Sequence, residues 1–147
     1  MHKVLAIGAD HRGYAYKEQL KKIQQFGSCS VKWIDVGAKN AERSDYPIYA
    51  KAAVREMQSG AAQGAILICG SAVGMAIAAN RFKGMYAAVV WEPIVARMAK
   101  EDDNANILSL SSDYVDFETT IQCIEMWLNA SFKGGRYAER LALVDVL

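Results

Sequence analysis

The chain has 147 residues, 52% of them apolar, with 17 Lys and Arg against 16 Asp and Glu for a formal net charge of +1. That length fills one well-buried core and is short for two ordinary domains, so a single domain over 1–147 is expected. Charges of both signs are mixed along the chain, which excludes a concentrated footprint for nucleic acid or an anionic membrane and leaves small-molecule chemistry as the default. The opening MHKVLAIGAD is too short an apolar run for a secretory signal, and no stretch approaches the roughly 18 apolar residues of a membrane span. A soluble, cytoplasmic protein is the expectation.

In chain order, KVLAIG (3–8) predicts a strand and the pattern at 13–26 a helix. VKWIDV (31–36) predicts a second strand, after which the polar connection GAKNAERSDY (37–46) leads into Pro47, a residue suited to a helix start, and a helical pattern at 47–59. GAILIC (64–69), YAAVVW (86–91) and NILSLS (106–111) are further strands, with helical patterns at 73–81, 93–102 and 116–130. Strands alternating with helices predict an α/β protein built on an open, doubly wound parallel sheet of five strands. In such sheets ligands bind beyond the C-terminal ends of the strands. The tail FKGGRYAERLALVDVL carries Gly134-Gly135 before a last helical turn or two, and its Leu141, Val144 and Leu147 need a surface to cover, either the parent domain or a second subunit.

Three segments read as strand ends converge on one edge of that sheet: GADHRG (8–13), ERSDYP (42–47) and CGSAVG (69–74). Helix N-termini at such turns offer free N–H groups that favour a phosphate or a developing oxyanion. Neither GxGxxG nor GxxxxGK[ST] is present, which removes the usual support for dinucleotide or P-loop binding. Cys29, Cys69 and Cys123 form an odd set without CxxC spacing, and with only His2 and His11 no zinc constellation is recognisable; reduced thiols are expected. Cys69 stands where a strand meets the glycine turn, and a helix N-terminus lowers a thiol below its ordinary value of about 8.5. Buried filler is the competing reading, because cysteine is among the most buried residue types.

Asp10 and His11 suit a sugar hydroxyl and a phosphate, or equally a capping carboxylate beside an exposed imidazole. Arg136 and Arg140, spaced i, i+4, would share a helix face and clamp a phosphate, or pair with Glu139 or solvent. Tyr46 is a candidate site wall or a packing residue at a helix start. Asp102 and Asp103 oppose the dipole of the helix they close, and a solvated helix end is the ordinary reading of such a run.

Taken together and in order, GADHRGYAYKEQL, DVG, ERSDYP, GAILICGSAVGMAIAANRFKG, ARMAKEDDNANIL and FKGGRYAERL resemble the ribose-5-phosphate isomerase B family, which includes the galactose-6-phosphate isomerase subunits. The resemblance covers nearly the whole chain. It implies a Rossmann-like three-layer α/β/α fold, a homodimer or homotetramer with active sites between subunits, and no metal or organic cofactor. It implies aldose–ketose isomerisation of a sugar phosphate through a cis-enediolate, first of all ribose 5-phosphate to ribulose 5-phosphate. A six-carbon sugar phosphate, such as allose or galactose 6-phosphate, or a non-catalytic sugar-phosphate-binding homologue, are the alternatives. By the same resemblance Cys69 is the base, Gly70, Ser71, Ala72, Val73 and Gly74 supply backbone and hydroxyl contacts to the enediolate, and Asp10, His11 and Tyr46 contact the ligand. Arg136 and Arg140 fall on phosphate-binding positions.

Three departures stand against this pattern. Asp102 replaces the histidine to which the family's ring opening is assigned, as it also tends to be replaced in galactose-6-phosphate isomerase subunits; Asp102 can shuttle a proton if burial or Asp103 raises its pKa. Asp103 replaces an asparagine, exchanging an amide donor for a charge. Asp113 stands where an arginine usually helps bind phosphate, a local change of about two charge units that opposes an anion on Coulomb grounds.

Overall fold

The run Gly64–Cys69 is buried at every residue, as a central strand covered on both faces must be. The computed structural model describes residues 1–147. Its elements are β1 (His2–Ala9), α1 (Tyr14–Leu20), β2 (Gln25–Phe26), β3 (Cys29–Asp35), α2 (Tyr46–Gln58), β4 (Gly64–Cys69), α3 (Val73–Asn80), β5 (Ala87–Val89), α4 (Pro93–Asp103), β6 (Ile107–Ser111), α5 (Phe117–Leu128) and α6 (Arg136–Asp145). The sheet order is β2-β3-β1-β4-β6-β5. No helix is long and apolar enough to cross a membrane.

The five expected strands are present and mutually parallel. A sixth, β2, is a correction: it pairs antiparallel with the start of β3 in a hairpin. The helix expected over 13–26 therefore stops at Leu20. Gly27 at φ 58° turns the chain, a left-handed conformation glycine adopts without a β-carbon penalty. Phe26, fully buried, meets Trp33 edge-on at 6.0 Å, so tertiary packing outweighs the helical pattern. The tail also forms more than a turn or two, since α6 runs ten residues and lies against α4 with no residue fully buried.

Alternation along the strands divides the core into two layers. Leu5, Ile7, Ile66, Ile68, Leu108 and Leu110 face α1, α4 and α5, while Ala6, Ala65, Leu67, Cys69 and Ile107 face α2 and α3. The result is the expected three-layer α/β/α arrangement. From β1 the chain passes to β3 on one side, and from β4 it passes to β5 and β6 on the other. The crevice between the C-terminal ends of β1 and β4 is thus the topological switch point, where open α/β sheets take their ligands. Asp10 and Cys69 stand at the two lips of that crevice.

Candidate active site

Cys69 ends β4 and is 4% exposed, at the margin of the core layer shared with α2 and α3. The chain then turns through Gly70, Ser71 and Ala72 into α3. Ala72 sits at φ 72°, a left-handed conformation that costs an L residue roughly 1–2 kcal/mol. Three carbonyls at this turn are engaged by β6 and the two residues after it. Cys69 C=O accepts from the Ser112 N–H (3.0 Å), and Gly70 C=O from the Asp113 N–H (3.1 Å) and Ser111 Oγ (2.6 Å). Ala72 C=O accepts from Ser109 Oγ (2.6 Å). Of the donors at the head of α3, Val73 N–H reaches Ser71 Oγ at 3.3 Å, while the N–H groups of Ser71 and Ala72 have no protein acceptor. Unpaired donors at a helix start form a site for negative charge.

Across the crevice, Asp10 Oδ1 accepts from the N–H groups of Arg12 (3.0 Å) and Gly13 (3.2 Å), so this carboxylate caps the turn into α1 and leaves Oδ2 uncommitted. His11 is tied to the long polar loop by a reciprocal pair: its N–H donates to Ser44 Oγ (3.1 Å), and Ser44 N–H donates to its Nδ1 (3.2 Å). An acceptor at Nδ1 puts the neutral ring's proton on Nε2 and leaves Nε2–H free for a ligand oxygen. Ser44 had no distinguishing signal in the sequence beyond its place in ERSDYP.

Two side chains roof the turn. A β-carbon on Gly70 would lie 2.8 Å from Cζ and Nε of Arg12, and one on Gly74 would lie 2.6 Å from Cζ of Tyr46. The glycines therefore admit a guanidinium at one end and a phenol ring at the other. Tyr46 is the first residue of α2, and its ring lies against Gly74 at the head of α3. Arg12 was overlooked, although it adjoins His11. Its Nη2 pairs with Oδ2 of Asp113, so the carboxylate expected to repel an anion is met by a cation on the same rim.

Asp102, Asp103, Arg136 and Arg140 are not brought to this crevice within one chain. α4 ends at Asp103, just before β6, and the register pairs Ile107 with Ala65 but Ser111 with Cys69. Four strand steps put the start of β6 about 13 Å from the Cys69 level. At that far edge Lys133 Nζ meets Asp102 Oδ1 at 2.8 Å, and Lys133 N–H donates to Glu101 C=O at 2.9 Å. The bond from Asp102, outweighing slight desolvation, raises the Lys133 pKa. The Tyr137 ring then gathers Lys133, Arg136 and Arg140 at 5.1, 5.7 and 5.5 Å from its centroid. Three cations around one ring repel one another and favour an anion between them.

Of the other thiols, Cys123 is pushed up to about 11 by burial, with Glu92 adding to it, which suits a packing role. Cys29 is wholly buried beside the β2–β3 hairpin. No three His, Cys, Asp or Glu side chains converge as a metal site would require.

A doubly wound sheet with a cysteine and unpaired backbone donors at its switch point defines a small-molecule enzyme class, and sequence comparison narrows it. The chain belongs to the Ribose/Galactose Isomerase family, whose model matches residues 5–144. It is 34% identical over 145 residues to ribose-5-phosphate isomerase B of Escherichia coli, covering 99% of this chain and 96% of that protein. The crystal structure of the ribose 5-phosphate isomerase of Thermotoga maritima superposes with a TM-score of 0.92 at 36% identity over 100% of both chains. Ribose-5-phosphate isomerase B of Mycoplasma genitalium, solved with bound ribulose 5-phosphate, gives 0.88 at 32% identity, with 97% of this chain and 94% of that one covered.

Proposed function

We propose that this protein interconverts ribose 5-phosphate and ribulose 5-phosphate at the turn following β4. The observation that carries the proposal is a thiol at the switch point, one residue before a turn whose Ser71 and Ala72 N–H groups lack acceptors. In this reading the Cys69 thiolate takes the proton from C2 of the open-chain aldose. The C–H electron pair becomes the C1–C2 double bond of a cis-enediolate, and the aldehyde oxygen takes up the negative charge. The donors at the head of α3 stabilise that charge as it forms, which is where preorganised dipoles lower a barrier. Cys69 returns the proton to C1, the enediolate closes to the C2 carbonyl, and the O2 proton passes to O1. Ser71 is placed for that hydroxyl exchange, while Asp10 Oδ2, His11 Nε2 and Tyr46 border the substrate.

Phosphate and ring opening require the other edge of the sheet. Arg136 and Arg140 are assigned to the phosphate, Asp103 to the rim beside it, and Asp102 to accept the anomeric hydroxyl proton. These groups lie too far from Cys69 in one chain, so the working site is assigned to two copies in a closed symmetric dimer, each giving one edge. Exposed Leu143, Val144, Val146 and Leu147 on and just beyond α6 supply apolar surface for such a contact. The soluble interior of the cell is the compartment this chemistry suits.

The deciding experiment incubates the protein with ribose 5-phosphate in deuterated water, with ketose formation and deuterium at C2 followed by NMR. Wild type should form ketose and Cys69→Ala should not; near-normal turnover by Cys69→Ala removes the base assignment. Silence with ribose, allose and galactose phosphates alike would leave a sugar-phosphate-binding homologue. Mixing inactive Cys69→Ala with inactive Arg136→Ala/Arg140→Ala, refolded together, should restore about a quarter of the activity if sites lie between copies, because half of random dimers then hold one intact site. No recovery would place the arginines elsewhere.

A further inference from the structure

Only five polar or charged residues are buried, namely Asp10, Lys17, Ser109, Ser111 and Thr120, and two of them donate to the same turn. We propose that Ser109 and Ser111 are positioning residues for the isomerase reaction: their hydroxyls hold the Gly70–Ala72 turn so that the N–H and the hydroxyl of Ser71 face the enediolate. The inference rests on the reading of that turn as the site of isomerisation.

Peptide planarity links the two hydroxyl bonds to the donors. In a trans peptide the C=O of one residue and the N–H of the next point in opposite directions. Ser111 Oγ draws Gly70 C=O toward β6 at 2.6 Å, so Ser71 N–H is aimed away from β6. Ser109 Oγ draws Ala72 C=O the same way at 2.6 Å, which fixes Val73 N–H, the donor to Ser71 Oγ at 3.3 Å, and so holds the Ser71 hydroxyl in place. Ser111 Oγ also accepts from the Tyr114 N–H at 3.0 Å, which commits its own proton to Gly70. Both serines alternate on one face of β6, with Leu110 between them in the opposite core layer.

The turn needs this restraint because Ala72 carries a β-carbon in a left-handed conformation. Without the two hydroxyls the backbone relaxes by peptide rotation: turning the Gly70–Ser71 peptide swings Ser71 N–H away from the forming oxyanion, and turning the Ala72–Val73 peptide releases the Ser71 hydroxyl. The substrate's phosphate and hydroxyl contacts lie elsewhere, so binding of the ground state is spared while the transition state loses donors. That separates the proposal from a merely structural role.

The test measures kcat and KM for ribose 5-phosphate, together with the midpoint of thermal unfolding, for Ser109→Ala, Ser111→Ala and, as control, Thr120→Ala. Thr120 is equally buried, but its hydroxyl donates to Asp116 C=O in α5, away from the turn. Each serine variant should lose about tenfold in kcat with KM within about twofold, since a misaimed oxyanion donor in one and a displaced Ser71 hydroxyl in the other act on the chemical step. Thr120→Ala should match their loss of stability with kcat unchanged. Ser109→Cys and Ser111→Cys keep the side-chain size with a weak S–H donor and should show the same split if alanine prevents folding. Serine variants that behave like Thr120→Ala in an active protein overturn the positioning role alone. A wild type inactive on ribose 5-phosphate overturns the proposed function, and this inference with it.

Discussion

Replacing Gly13 with alanine should couple the fold to the site in a way that can be measured. Gly13 is at φ −90°, ψ −3°, a conformation open to alanine, so on backbone grounds alone the change would stabilise by about 0.4–1 kcal/mol. Its added β-carbon, however, would lie 2.5 Å from the carbonyl oxygen of Ile68 and 2.8 Å from its carbonyl carbon and Cγ2. Ordinary C···O contacts are about 3.3 Å or longer, so about 0.8 Å must be made up. Neither side yields easily: Asp10 Oδ1 holds Gly13 N–H, and Ile68 is paired to both Ala9 and Leu110. Overpacking of this kind costs about 1–3 kcal/mol, which exceeds the backbone gain. A net loss of about 1–2 kcal/mol should lower Tm by roughly 2–8 °C in a chain of this size. Ile68 precedes Cys69, so a shift of this order should also lower kcat by tenfold or more under conditions where the variant is folded. Denaturant titration and steady-state kinetics on one preparation test both parts. A variant as stable as wild type, or more so, would refute the reasoning, because it would mean that α1 and β4 can separate freely.

Lys17 is 1% exposed and bonds Asp35 and Glu18 at 2.8 Å each, so Lys17→Met should destabilise by about 1–3 kcal/mol in urea titration; Lys21, at 2.7 Å from Asp35, keeps the loss below that of a fully isolated pair. Burial pushes the Asp35 carboxyl up, but the bonds from Lys17, Lys21 and Gly37 N–H prevail and hold it below the ordinary range. Its stabilising contribution is therefore complete above about pH 4 and lost as pH falls through the lower folded value, so the stability gap between wild type and Asp35→Asn should close in acid. A gap unchanged from pH 7 to pH 2 would contradict that assignment. Arg12→Ala leaves Asp113 uncompensated at the site rim and should raise KM for the sugar phosphate several-fold, most at low salt, while Asp113→Asn lowers it. Arg12 is largely exposed, so stability should change by less than about 1 kcal/mol; equal KM values at low and high salt would remove the electrostatic account.

Much of the framework was legible in local sequence. Short continuous apolar runs bounded by glycine turns identify the five parallel strands, because burial on two faces demands such runs. CGSAVG is recognisable as a strand-to-helix turn because glycine is needed where Arg12 and Tyr46 close over it. The β2–β3 hairpin was hidden because Gln25-Phe26 continues a helical pattern, and only the packing of Phe26 on Trp33 decides against it. Asp113 looked like an unopposed charge because its partner is 101 positions away in the chain.

What the sequence by itself determined is the order of the five parallel strands and the helices between them, the turn that carries Cys69, and the family. Periodicity and motif spacing are properties of neighbours along the chain. Tertiary structure alone decided that Ser109 and Ser111 hold that turn, that Arg12 meets Asp113, and that Asp102, Arg136 and Arg140 lie at the opposite edge of the sheet from Cys69. Each of those facts depends on which strands lie side by side and in what register. A single residue of slip in β6 would turn Ser109 and Ser111 to the other face, and no local pattern encodes that pairing.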